Sequence, residues 1–420
     1  MAEGAGGPAG GGDLEIQRLR RLFRFFAATQ CRGRSPVYEA LSEGVAGDDE
    51  LLDLLMSAPG EQRRPSLLFA AVNLLLASNP GSALAGYYPI HGGRRPVDGR
   101  LMPAFAAFCA EHRAELDRLL RTRSTQTNEI RRCVALRLGL DYVHRRWPGP
   151  VALVEAGASA GLNLLLDRYR YRIGGQKVSP EDAAPVTITC EVRGGIPAEG
   201  ILGPVPEITR RRGIDQHPVN VADPGARAWL EAFIWPEQVG DLAVLRGAID
   251  LAVSAATVTV APGDATTDTA RLLEELPGNE PIVVFTASLL SYLTPDARSA
   301  FAAQLRQAAA HRPVAWVFAE APGLVSTTDH LIAPDGPLAR RNSLYLVGAS
   351  LRDSDRRDDA LLALADPYLR WLALAREKTD DFQWLPTNAT ASCLVELAED
   401  ANSRGVAPKT LHKSADLRSH

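Results

Sequence analysis

Apolar residues return every three or four positions from Leu14 to Trp147, with few β-branched runs, so this stretch predicts a helical region. Leu19, Leu22, Phe23, Phe26 and Ala27 form one such face, and the turn Arg32-Gly33-Arg34-Ser35-Pro36 ends it. Further helices are predicted over 37–44, 48–57, 65–77, 103–121 and 127–146. At Pro148-Gly149-Pro150 the texture changes to short, wholly apolar runs separated by helical stretches. Strands are predicted at 151–155, 186–192, 258–260, 282–285 and 314–319, and helices at 162–172, 226–234, 241–255, 268–276 and 295–311. One more strand near 345–347 and a helix near 367–374 complete the pattern. Strands buried on both faces and alternating with helices imply a mostly parallel sheet covered on each side. The expected organisation is a disordered leader (1–13), a helical domain (14–147), a Rossmann-like α/β domain (148–375) and an irregular C-terminal extension (376–420).

Composition narrows the partners. The chain has 420 residues, 46% hydrophobic and 23% charged, with net charge −4, which points away from nucleic acid and from charged membrane surfaces. Its longest apolar stretch, Leu67 to Ala77, is about half a membrane span. The five cysteines, Cys31, Cys109, Cys133, Cys190 and Cys393, are scattered, as in a reduced cytoplasmic protein without a structural zinc site. Of the 46 basic residues 42 are arginine, a total that overall composition accounts for, so only arginine placement carries functional meaning.

The strongest local signal is Val154-Glu155-Ala156-Gly157-Ala158-Ser159-Ala160-Gly161, which closes an apolar strand and opens a helix. Small residues there let a ligand approach backbone amides beside a helix N-terminus. The segment is similar to the S-adenosylmethionine turn of class I methyltransferases, with Glu155, Gly157 and Gly161 matching and Ser159 replacing the middle glycine. In that comparison Asp264 in Gly263-Asp264-Ala265 ends the third strand, and Glu191, or else Asp215, supplies the second-strand carboxylate. The strand 283–288 ends where substrate groups normally project.

Two polar segments interrupt the helical region: Gln62-Arg63-Arg64-Pro65, and Arg121-Thr122-Arg123-Ser124-Thr125-Gln126-Thr127-Asn128-Glu129. Arginine forks beside amides and hydroxyls suit a carboxylate, sulfate or phosphate, so Arg63, Arg64, Arg121, Arg123, Gln126 and Asn128 are candidate substrate-binding residues. Tyr88, in Tyr87-Tyr88-Pro89, either lines the same cleft or anchors a loop by packing; Asn163 stands in the first turn after the glycines. No zinc-type histidine spacing and no Ser/His/Asp order is visible.

Together Cys31-Arg32-Gly33-Arg34-Ser35-Pro36-Val37-Tyr38-Glu39, Gln62-Arg63-Arg64-Pro65, the 122–129 segment, the 154–164 segment and Gly213-Ile214-Asp215 resemble the bacterial domain-of-unknown-function family 2332. The resemblance implies a helical region joined to a methyltransferase-like domain, with some relatives in natural-product pathways, including aziridine formation by loss of sulfate without methyl transfer. Many members carry histidine where this chain has Thr286, and His-Gly after the late Asp-Pro where it has Asp366-Pro367-Tyr368-Leu369.

Three functions follow as expectations. In the first, an S-adenosylmethionine-dependent methyltransferase acts on a small anionic metabolite, with Glu155, Gly157, Ser159, Gly161 and Asp264 at the cofactor and Glu129 or Asp167 as base. In the second, no cofactor is used: an amine displaces sulfate or phosphate, arginines stabilise the leaving anion, and Glu129 or Glu155 takes the proton. In the third, the chain is a non-catalytic binding protein that works with a partner subunit.

Overall fold

A computed structural model describes residues 9–126, 128–178, 186–193, 201–326, 344–354 and 356–375. The expected C-terminal extension, Cys393 and Thr127 lie outside the described residues. Seven helices open the chain: α1 Ala9–Phe26, α2 Pro36–Val45, α3 Asp49–Met56, α4 Pro65–Ser78, α5 Leu101–Glu111, α6 Arg113–Thr122 and α7 Cys133–Arg146. Helix α1 starts inside the stretch expected to be leader, because a helix nucleated on an apolar face extends cheaply. Ser35 and Asp48 cap α2 and α3 by accepting the amides of Tyr38 and Leu51, and Pro36 and Pro65 occupy first-turn positions where no donor is lost. Helices α1 to α6 close on an aromatic core, with Tyr38 stacked on Phe69 at 4.4 Å. Trp229 and Trp235, from the later chain, complete that core.

The strands are β1 Val151–Ala156, β2 Arg170–Ile173, β3 Gln176–Val178, β4 Thr187–Arg193, β5 Ile208–Asp215, β6 Thr259–Pro262, β7 Ile282–Ala287, β8 Val314–Glu320, β9 Tyr345–Arg352, β10 Arg357–Ala365 and β11 Trp371–Leu374. They form one sheet in the order β3-β2-β4-β11-β10-β9-β8-β7-β1-β5-β6. From β6 to β8 neighbouring strands are parallel, and the sequence β6-β5-β1-β7-β8 is the doubly wound order whose ligands bind at the carboxyl ends beside the first strand. Beyond β8, the strands β9, β10 and β11 continue antiparallel. Helices α8 Pro224–Glu231, α9 Val239–Ala255, α10 Ala265–Glu274 and α11 Pro295–Ala309 complete the fold. Alternate residues of the central strands feed two cores: Leu153, Val283 and Val317 meet α7, while Val154, Val284 and Trp316 meet α10 and α11.

Several expected elements differ. Helix α7, grouped by periodicity with the helical region, packs on β8 and β9 because its apolar face continues the sheet's core. The helix expected over 162–172 is a tight 3-10 segment, Leu162–Arg168, followed by β2. Left-handed Gly161 starts it, Leu164 N donates to Gly161 O, and Tyr171 and Ile173 alternate inward around exposed Arg172, a strand's period. The helix expected near 367–374 is β11, reached by a turn in which Asp366 accepts the amides of Tyr368, Arg370 and Trp371. Strands β5 and β10 were not expected: arginines mask the first, and the helix-favouring Ala/Leu run of the second is overridden by pairing on both edges.

Candidate active site at the carboxyl ends of the strands

The turn after β1 is wired tightly into its surroundings. Gly157 N and Ala158 N donate to Ile214 O, Ser159 N donates to Asp215 Oδ2 at 2.8 Å, and Gly161 N donates to Ala158 O. Gly157 and Gly161 have φ of 74° and 69°, and a Cβ would meet Leu289 at 2.9 Å and Val258 at 2.6 Å respectively. Both glycines are therefore required by backbone shape and close packing alone. Ser159 adopts φ 49°, and its Oγ accepts from Asn128 Nδ2 at 2.9 Å.

The acids that would meet S-adenosylmethionine are placed on their strands but occupied. Asp215 ends β5, the second strand, whereas Glu191 lies on β4 beside Trp371 towards the far edge. The carboxylate of Asp215 also accepts His217 N at 2.8 Å. Asp264 follows β6, caps α10 through Thr266 and takes Gln216 Nε2 at 2.8 Å. Every oxygen of these two carboxylates thus already holds a hydrogen bond within the protein. Leu289 lies against Gly157, and both acids are held by donors of the protein's own.

The two arginine segments do come together: Thr125 N donates to Gln62 Oε1 at 2.8 Å, and Gln126 Nε2 donates to His217 O. Their arginines divide into two kinds. Arg63 gives its donors to Ala58 O, Met56 O and Glu15, and Arg121 pairs with Asp117 on an exposed surface. Arg64 instead lies 4.7 Å over the Tyr292 ring and gives its Nε to Glu61 O at 3.3 Å, and Arg123 lies 5.6 Å over Trp229. Tyr88 is fully buried in the helical core with no partner for its hydroxyl, so its loop is anchored by packing. Asp167 is bound through both oxygens by buried Arg211 at 2.7 Å, a structural pair rather than a base.

The groups left over converge on Arg132, just before α7. Arg132 Nη1 donates to Ala287 O at 3.2 Å, while its buried Nε has no partner. Its charge reaches the carboxyls of Glu129, Glu155 and Glu320 and the phenols of Tyr345 and Tyr368. Glu155 is buried; Asn163 Nδ2 donates to its Oε1 at 2.7 Å, and Oε2 is unpartnered. Asn163, itself an acceptor from Cys133 Sγ, points at Glu155. Burial pushes Glu155 up to about 8 and Glu320 to about 7. Burial also raises Glu129, against the opposing charge of Arg131 at 3.9 Å. Ser288, at φ 66°, bonds through its hydroxyl to Tyr345. Arg34 pairs with Asp366 at 3.1 Å and covers Tyr368, whose hydroxyl donates to Gln30 at the π-helical turn Ala27–Cys31. Thr286 accepts Trp316 Nε1 at 3.0 Å, and its hydroxyl faces Glu320.

Residue-by-residue reading missed Arg132, Glu320 and Tyr345, and reached Ser288 only as the end of the strand over 283–288. Glu320 nevertheless carries the same signal as Glu155, an acid closing a wholly apolar strand. No group of three metal-ligating side chains occurs among the described residues, and none of their helices is long and apolar enough to cross a membrane. A family model described as "Uncharacterized protein conserved in bacteria (DUF2332)" matches residues 20–373. A search of curated proteins finds no match.

Proposed function

The chain belongs to the DUF2332 family, whose description assigns no activity, and from the site itself we propose a cofactor-independent enzyme that closes a ring on a small amine-bearing anion by expelling sulfate or phosphate. The observation that carries this reading is the buried, unmatched Nε of Arg132 among three carboxyls whose proton affinity burial has raised. The substrate nitrogen attacks the neighbouring carbon that bears the ester oxygen. The N–C bond forms, the C–O bond breaks, and its electron pair leaves on the sulfate or phosphate oxygen. Arg132 stabilises the charge that develops there, in surroundings where water competes little. Glu155 Oε2 takes the ammonium proton, and a carboxyl near 8 is a strong base once ionised, so turnover rises with pH towards 8. Arg64 and Arg123 guide the anion by their charge, and Asn128 fastens Ser159 in the turn after β1.

The test is incubation with 2-aminoethyl hydrogen sulfate and ion chromatography of free sulfate. Release by the wild type and loss of at least about a hundredfold in Arg132→Ala are expected, the scale of removing one charge-stabilising group. A second reading, methyl transfer from S-adenosylmethionine, is favoured by the strand order with acids closing β1 and β5 and capping the helix after β6. Absence of sulfate release together with calorimetric binding of S-adenosylmethionine would replace the first reading with the second.

A further inference from the structure

Loop 287–292, at the end of β7, touches Arg132, Tyr345, the Gly157 turn and Arg64. Ala287 O receives Arg132 Nη1, and Ser288 Oγ bonds Tyr345. Leu289 fills the space above Gly157, and Tyr292 lies under Arg64. Two features of the loop are costly: Ser288 holds a left-handed backbone, and its successors turn their amides towards the protein interior. Both amides end on one side chain. Glu320, the last residue of β8 and fully buried, accepts Leu289 N at 3.0 Å on Oε1 and Leu290 N at 3.2 Å on Oε2. Its backbone neighbour Ala319 O accepts Ser288 N at 3.0 Å.

We infer that Glu320 is a positioning residue whose ionised carboxylate, by holding the amides of Leu289 and Leu290, sets loop 287–292 and with it Leu289, Tyr292 and the carbonyl that orients Arg132. The inference deepens the proposed reaction and rests on it only for the claim that the loop serves that site. Only a carboxylate offers an acceptor oxygen to each amide; a protonated acid or an amide keeps one good acceptor. The groups facing Glu320 are Arg132 from the segment before α7, Tyr345 from β9 and the Thr286 hydroxyl from β7. Burial holds the Glu320 proton up to about 7, whereas Arg132 and the two amides favour the ion. The loop is therefore fastened as pH rises through neutrality and loosened below it.

Hydrogen exchange read by mass spectrometry on peptides covering 286–293 of the full chain tests this without any substrate. With intrinsic exchange chemistry divided out, wild-type protection of the Leu289 and Leu290 amides should rise at least about tenfold between pH 5.5 and 8.5, the scale of a hydrogen bond to a charged group. In Glu320→Gln it should be low and flat across that range. Wild-type protection that does not change with pH, or a variant that matches the wild type, overturns the inference. Should the variant not fold, the wild-type pH series still decides. Flat protection alongside sulfate release overturns the latch alone; pH-dependent protection without sulfate release overturns the reaction and leaves the latch.

Discussion

In the helical region Arg63 commits its donors to two carbonyls at the end of α3 and to Glu15, while Arg132, at the carboxyl ends of the strands, keeps a buried donor with no partner. The same contrast extends to the backbone. Of the four described non-glycine residues with left-handed φ, Ser159 and Ser288 follow β1 and β7, and Leu369 lies in the turn after β10; only Ala256 merely ends a helix. Helices α2 and α3, by comparison, have satisfied caps. Backbone strain persists where the rest of a fold over-determines it, and three of these four residues lie at one end of one sheet, whereas unmatched buried polar atoms also occur at Ser42 and Tyr88 in the helical core and at Arg137 in α7. Arginine number is thus a poor guide to function in this chain, and what distinguishes Arg132 is an unmatched donor together with the three carboxyls its charge reaches.

The comparison breaks most visibly if a satisfied arginine proves dispensable. Arg211 bonds Asp167 through both oxygens and also Leu164 O, tying the 3-10 segment after Gly161 to β5. Arg211→Ala leaves the largely covered Asp167 with only the exposed Arg168, 3.5 Å away, and a loss of about 3 kcal/mol in denaturant unfolding is expected. An Asp167→Asn, Arg211→Met double variant should recover part of that loss, since the remaining groups no longer carry an unpaired charge. A loss under about 1 kcal/mol in the single variant would show that the pair is not a structural tie.

A functional carboxyl should behave in the opposite sense. Glu155 sits at about 8 in the fold against an ordinary value of 4.5, so the folded state retains a proton that the unfolded chain releases. Its contribution to stability is full below 4.5 and disappears as pH rises through 8. Glu155→Gln keeps the bond from Asn163 and removes the charge, so the variant should unfold about 2–4 kcal/mol later than wild type at pH 9 and almost together with it at pH 5. Sulfate release should fall in the same variant. Equal stability of the two proteins at pH 9 would place Glu155 in a less costly environment and weaken the contrast.

These residues also show what local sequence can reveal. The turn 156–161 was legible because small residues after an apolar strand mark a tight strand-to-helix turn, and the acid before it was legible as part of that pattern. Glu320 carries an equivalent strand-end pattern with no motif around it, and only the loop folded over it gives it a role. Arg34 and Asp366 are 332 positions apart, and Arg63 and Glu15 are 48 apart, so no window on the chain distinguishes an arginine already paired from one still available. Strand β10, Arg357-Asp358-Asp359-Ala360-Leu361-Leu362-Ala363-Leu364-Ala365, has helical propensity and becomes a strand only because β9 and β11 pair with it.

The smallest expected effects sharpen the comparison within the helical region itself. Arg63→Ala should cost about 1–2 kcal/mol, because two carbonyls at the end of α3 lose a half-buried charged donor, and it should leave sulfate release intact. Arg121→Ala should change neither thermal unfolding nor sulfate release: its guanidinium is exposed, and Asp117 keeps the hydrogen bond from Ser57 when the arginine is gone. Both arginines stand in polar segments that read alike, yet neither has a donor aimed at the strand ends. A drop in sulfate release in either variant, with stability unchanged, would move anion recognition back to the helical segments and remove Arg132 from the centre of the site.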